Sequence, residues 1–317
     1  LEAEERNEHA ARSSSSRLRG KTAELTEKHA AAAHRRERIA VGVLQACSGV
    51  FVVAIGLLIA YLAVEGTRLF FADHKTVTEF LFSPTYSPET GQVGALPFIV
   101  GSLAITAFAV AVGGPFGVAV GVFFSELAPK PVAATMKPAV EVLVGIPSVV
   151  YGWLGLTLLV PLIRNATHSP GFGLLAAGIV LSIMIVPTVV TLSEDALRAV
   201  PAAMREGSLA LGATRWQTIR RVLLPAASSG LTVAVILGVA RAVGETMAVQ
   251  LVIGNSPVLP HGLLNSAAAL PTQIVMDMGG AAQGSLLQHT LFSMALLLLL
   301  IAMALIVAVR FTLRSRA

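Results

Sequence analysis

The 317 residues are 55% hydrophobic and only 13% charged, with a mean hydropathy of +0.75. A soluble domain carries about a quarter charged residues, so this composition excludes an ordinary soluble protein and points to the membrane. The net charge of +5 would suggest a nucleic-acid ligand in a soluble chain. Here the basic residues stand beside apolar runs, where membrane orientation accounts for them and no nucleic acid is expected.

Residues 1–38 have mixed charge, a serine run at 13–16 and alanines at 30–33. They read as a cytoplasmic tail, disordered or partly helical. Within them Gly20-Lys21-Thr22 mimics the end of a Walker A loop, but Ser15 stands where its first glycine belongs. No apolar strand precedes it, so ATP is not expected to bind there.

The remainder, 39–317, reads as one transmembrane domain. A helix needs about 20 apolar residues to cross the hydrocarbon core. Six stretches qualify, at about 39–64, 98–124, 139–163, 172–192, 228–253 and 291–311. Backbone groups in lipid must bond within their own segment, so these are expected helices. The first is too long for a signal peptide and lacks an A-x-A-like exit. Cys47 lies in it as the one cysteine, which rules out an intrachain disulfide. The connection 65–97 carries Phe70, Phe71, Phe80, Phe82, Pro84 and Pro88 and is expected to fold onto the outer face. Pro115 and Pro187 predict kinks in the second and fourth helices.

The third stretch places Glu141, Gly145, Ser148, Gly152 and Gly155 at helical spacing on one face. Close helix packing is one reading of such a face. A pathway lining is the other, because Pro147 frees backbone groups beside Ser148. In the fifth stretch Arg241 falls near the centre, where insertion costs about 2.5–3.5 kcal/mol. Glu245 follows four residues on, and Ala234, Gly238 and Ala248 share the expected face and leave room. The pair reads either as a structural ion pair or as an anion pathway, since guanidinium matches the oxygens of an oxyanion in a fork. Glu245 could accept from an oxyanion that still carries a proton, a donor that a fully ionised one lacks. The sixth stretch has no polar residue over 295–309 and is expected to face lipid. His74, His168, His261 and His289 show no metal-ligand spacing and read as surface or interfacial. Asn165-Ala166-Thr167 matches a glycosylation acceptor pattern by chance.

Orientation follows from the basic residues. With the N-terminus inside, the cytoplasmic parts hold Arg35, Arg36, Arg38, Lys130, Lys137, Arg198, Arg205, Arg215, Arg220, Arg221, Arg310, Arg314 and Arg316. The outer connections hold only Arg68, Lys75 and Arg164. Both termini are therefore expected in the cytoplasm.

Between the fourth and fifth stretches, about 193–227, lies REGSLALGATRWQTIRRVLLPAA, residues 205–227. It has small residues at Gly207, Ser208, Ala210, Gly212 and Ala213, and an apolar stripe at Leu209, Trp216, Ile219 and Leu223. An amphipathic helix lying on the membrane is one reading. The stretch resembles the EAA loop of ABC-importer permeases. Glu206, Gly207 and Ser208 stand for EAA, Gly212 falls at the glycine, Val222 replaces Ile, and Leu224-Pro225 closes the pattern. VGALPFIVGSL from Val93, EVLVGIPSVVYG from Glu141 and ARAVGETMAVQLVIGN from Ala240 resemble the phosphate permease of the PstC type; the GETMAV ending favours it over the PstA type.

The resemblance implies an all-α, six-helix, type I ABC-importer (MetI-like) core whose coupling helix seats in an ATPase cleft. The seat would use Glu206, Gly207, Ser208, Leu209, Gly212, Ala213, Leu224 and Pro225. The pathway would use Arg241, Glu245, Ser148 and Glu141. It implies a PstA-type partner in a heterodimer, two PstB-type ATPases that bind ATP and Mg, and an outer PstS-type phosphate-binding protein. No catalytic residue, cofactor or metal is expected in this chain. Sulfate, molybdate or phosphonate remain alternative substrates. Rival classes are a proton-coupled transporter using Glu245 and a scaffold or sensor that transports nothing.

Overall fold

The computed structural model describes Arg38 and residues 41–314. Arg38 apart, the expected tail with its Gly20-Lys21-Thr22 stretch lies outside the described residues. The chain divides into two units, Leu1–Tyr61 and Leu62–Ala317. The described part of the first unit is helical, belonging to α1 (Val41–Phe71), and is exposed from residue 41 to 61. An apolar helix with no buried face suits lipid, not water.

The second unit is almost wholly helical. It begins with the end of α1, followed by α2 (Val77–Phe82) and a short antiparallel hairpin of β1 (Tyr86–Ser87) and β2 (Gln92–Val93). Then come α3 (Leu96–Val122), α4 (Lys130–Gly145), α5 (Ser148–Leu154), α6 (Val160–Thr167) and α7 (Leu174–Arg198). After α7 the chain forms α8 (Ala202–Ala210), α9 (Arg215–Thr218), α10 (Leu224–Ala226), α11 (Ser228–Val243) and α12 (Met247–Gln250). Two further helices, α13 (Leu270–Met278) and α14 (Leu286–Arg314), complete it. Single π turns extend α3 (Phe123–Leu127), join α5 to α6 (Gly155–Leu159) and join α9 to α10 (Ile219–Leu223).

Helices α3 and α7 form the spine. Gly113, Gly117 and Gly121 recur every four residues on α3, one side of a helix. A Cβ on Gly117 or Gly121 would come within 2.7 Å of Val189 Cβ or Ser193 Cβ on α7. Only glycine permits that approach, and close backbones are what hold helices together in lipid. The four-residue spacing of this stripe is legible in the sequence, yet the sequence reading did not single it out. Around the spine the core has three parts: a central cluster with Val180, Leu181, Met184, Ile185 and Val252, one at the expected outer end with Leu69, Phe80, Phe98, Leu270 and Leu291, and one at the expected cytoplasmic end with Val122, Leu197, Ile219 and Leu223.

Among the described residues five helices are long and apolar enough to cross a membrane. A sixth appears if Arg215–Ala226 and Ser228–Val243, bent by 72°, count as one span. Two expected spans need correction. The third does not run from 139 to 163. Ile146 is extended (ψ 129°), as a residue before proline prefers, and the span is Ser148–Thr167. Helix α4 is a separate piece with no buried residue. The fifth ends at Val243, so α11 is about 24 Å long and the rest of the stretch is α12 and turns.

The connection 65–97 packs into the outer cluster through Leu69, Phe80 and Val93. His289 is not a surface residue: it is buried, with Nδ1 2.6 Å from Asp73 Oδ2. Nearby, Ser293 Oγ donates to Gly66 O at 2.6 Å. α14 therefore begins with buried polar residues, buries Leu291 and Met294, and runs on into an apolar stretch that is mostly half-buried.

Candidate functional site

The coupling stretch folds as two short helices around a turn. Pro201 opens α8, where a missing N–H costs nothing, and α8 buries none of its residues. Gly212 ends it at φ +81°, a conformation that disfavours any residue with a Cβ. Thr214 and Gln217 then form a reciprocal capping box that starts α9. The expected apolar stripe is split by this turn. Ile219 and Leu223 are buried in the cytoplasmic cluster, whereas Leu209 and Trp216 are exposed. Nor does Leu224-Pro225 stop the helix. It lies in α10, just before the 72° bend at Ala227.

Glu206, Gly207, Leu209, Ala210, Leu211 and Gly212 form an open surface, with Leu211 90% exposed. Nothing lies within 4 Å of a Cβ placed on Gly207 or Gly212. Inward from that surface, Arg205 donates from Nε and Nη2 to the two oxygens of Glu126 at 2.9 and 2.6 Å. This fork raises the Arg205 pKa, with burial opposing and the nearby Glu126 and Glu206 charges adding to it. Ser208 and Thr218 hydroxyls are 2.9 Å apart, and Ala213 N–H donates to Ser208 O. A cleft of about 440 Å³ behind them is lined by Glu126, Arg198, Arg205 and Arg215, among others. Arg198 shares Glu194 with Lys137 of α4.

The membrane site differs from the expected one. Arg241 lies in the last turn of α11, but Gly244 ends that helix and Glu245 falls beyond it. The two are therefore not successive turns of one face, and no ion pair joins them among the described residues. Glu245 instead accepts from Ala248 N–H at 3.1 Å, capping α12. Both residues are half-buried, next to exposed Gly244 and Met247. Ala234, Gly238 and Ala248 do not leave room beside the charges. Each is buried, with Gly238 against Val189 and Ala248 against Gly152.

The small face of the third stretch is likewise divided by the break. Gly152 and Gly155 are packing contacts against Ala248, Val180 and Val252, while Gly145 has open space around it. Ser148 is half-buried and Glu141 exposed on α4, away from the α5 face. One residue missed by the sequence reading is Tyr151. Its hydroxyl crosses the break to donate to Leu143 O at 2.8 Å. It follows Ser148 by three residues on the same side of α5. A tyrosine in an apolar run gives no sequence signal until the break is known. No group of three or more His, Cys, Asp or Glu is placed to hold a metal ion among the described residues.

The described residues form an almost wholly helical, polytopic core, and the family that the chain matches is one of transport permeases. The chain belongs to the family described as binding-protein-dependent transport system inner membrane component, whose pattern matches residues 113–314. It is 44% identical over 272 residues to "Probable ABC transporter permease protein YqgH" of Bacillus subtilis, covering 85% of this chain and 88% of that one. It is 35% identical over 242 residues to the phosphate transport system permease protein PstC of Haemophilus influenzae, covering 70% and 76%. PstC 1 of Mycobacterium tuberculosis is 36% identical over 246 residues, covering 70% and 73%. The fold is similar to that of a chain of the MetNI methionine ABC transporter in an inward-facing conformation. That likeness has a TM-score of 0.57 at 23% identity and covers 73% of this chain and 100% of that one.

Proposed function

We propose that this chain is the PstC-type permease subunit of an ATP-driven importer and passes inorganic phosphate inward by alternating access. The observation that carries the reading is one chain with both an open coupling surface and a half-buried Arg241 that no carboxylate neutralises among the described residues. A cation held without a counterion in an apolar span is a place for an anion, and its planar fork suits a phosphate oxygen pair. The relatives named PstC support phosphate over other oxyanions. Ser148 supplies a further donor beside the α5 break, and Glu141 stands on the cytoplasmic approach.

In this reading a PstA-type subunit completes the pathway and an outer PstS-type protein delivers the anion. Two PstB-type ATPases, which bind ATP and Mg, seat the surface of Glu206, Gly207, Ser208, Leu209 and Gly212. The excess of basic residues in the expected inner connections supports an inner membrane location with both termini in the cytoplasm. A proton-coupled mechanism through Glu245 is disfavoured because its carboxylate is engaged in capping α12.

The test is phosphate uptake by the assembled complex in vesicles, with and without internal ATP. Arg241→Lys should keep partial uptake and Arg241→Ala almost none, at equal assembly. Because Glu245 does not pair with Arg241, adding Glu245→Ala should not restore uptake. Uptake that ignores ATP, or that survives Arg241→Ala, would overturn the proposal.

A further inference from the structure

The coupling surface must pass a displacement to the spanning helices, and α8 is poorly equipped to do so by packing. It buries no residue, so apolar packing ties it only weakly to its neighbours, and Ser208 adds a single hydroxyl contact to Thr218 of α9. Among the described residues the ion pair from α8 to a spanning segment is the Arg205–Glu126 fork. Two parallel N–H···O bonds between planar groups resist rotation as well as separation, which one point charge cannot do. The carboxylate end is firmly seated. Glu126 is 7% exposed in its side chain, receives a third bond from Ser125 Oγ at 2.8 Å, and sits on the π turn that ends α3.

What lies behind Glu126 is stiff. Gly113, Gly117 and Gly121 bring α3 into close contact with α7, so a displacement of one is passed to the other. From α7, Glu194 reaches Lys137 of α4 through an ion pair whose carboxylate side chain is 10% exposed. α4 in turn is tied across the α4–α5 break by Tyr151. A set of named contacts therefore runs from the open surface of α8 through the α3–α7 pair to the start of α5.

We infer that Arg205 and Glu126 are positioning residues for energy coupling: their fork is the strut through which a movement of α8 reaches the α3–α7 pair. The inference rests on the ATP-driven function proposed for this chain. It predicts a specific defect, in which the ATPases still dock and turn over while less phosphate moves per ATP hydrolysed.

The experiment measures both ATP hydrolysis and phosphate uptake by the complete complex in vesicles, normalised to assembled complex. Arg205→Lys keeps the charge and loses the fork. It should lower phosphate moved per ATP by about fivefold, the lower end of ordinary coupling energies, with hydrolysis largely retained. Glu126→Gln should behave similarly. The exchange Arg205→Glu with Glu126→Arg, which rebuilds the fork in reverse, should recover part of the ratio. An unchanged ratio in both single variants would overturn the strut. So would a proportional fall of hydrolysis and uptake, since that is what mere loss of docking or folding gives. If the unaltered complex shows no ATP-dependent uptake at all, the functional proposal has failed instead, independently of these variants.

Discussion

Two glycines five residues apart in the coupling element should respond oppositely to the same substitution. Gly207 is inside α8, in helical conformation, and a Cβ placed on it would have nothing within 4 Å. Gly207→Ala should therefore stabilise the helix by about 1 kcal/mol through propensity alone. Gly212 also has open space around it, but its φ is +81°. Gly212→Ala meets no neighbour and still costs about 1–2 kcal/mol, because the strain is in the backbone itself. Hydrogen exchange of the amides in 202–218, measured on the purified complex in lipid discs, reads the difference. Local opening should become about 5 times rarer in Gly207→Ala and about 5–30 times more frequent in Gly212→Ala. If the two variants shift exchange in the same direction, the left-handed turn at Gly212 is wrong. Tryptophan separates folding from docking in the same way. Gly207→Trp places bulk on the open surface without backbone strain, so it should block cross-linking to the ATPase while the spanning helices insert normally. Gly212→Trp would confound the two effects.

In a Cys47→Ser background, cysteines at exposed Thr85 and His261 should react with an impermeant reagent added outside, and cysteines at Ala134 and Ala203 should not; the opposite labelling would reverse the orientation. Ser266 is a poorer reporter because it is half-buried against Gly254. Tyr86 donates to Asp277 Oδ2 at 2.6 Å, and burial, followed by that hydrogen bond and charge, raises its pKa well above the ordinary 10.0. Because the folded value is raised, the stability it contributes is full below the ordinary pKa and is lost as pH climbs through the folded one. At about pH 11, where a free tyrosine is ionised, a Tyr86→Phe variant should therefore show no smaller phenolate absorbance than the unaltered chain. A phenolate signal that disappears with Tyr86→Phe at that pH would refute the buried contact.

The sequence by itself determined the material and the class. Apolar length, backbone satisfaction in lipid and the placement of arginines are one-dimensional properties, so the spanning segments could be located without coordinates. The spacing from Glu206 to Pro225 is also local, and it marked the stretch that carries the family resemblance. What the sequence did not decide is where each helix stops. A hydropathy run passes straight through Ile146-Pro147 and Gly244, yet the helices end there, because backbone geometry and not transfer free energy terminates them. Those two breaks place Glu141 apart from Ser148 and Glu245 apart from Arg241, and they expose Tyr151 as the residue that bridges one of them. The Arg205–Glu126 and Lys137–Glu194 pairs join residues far apart along the chain. On periodicity alone the arginine and the lysine could each have faced water. Only the glycine-set closeness of α3 and α7 in the folded chain brings their carboxylates within reach.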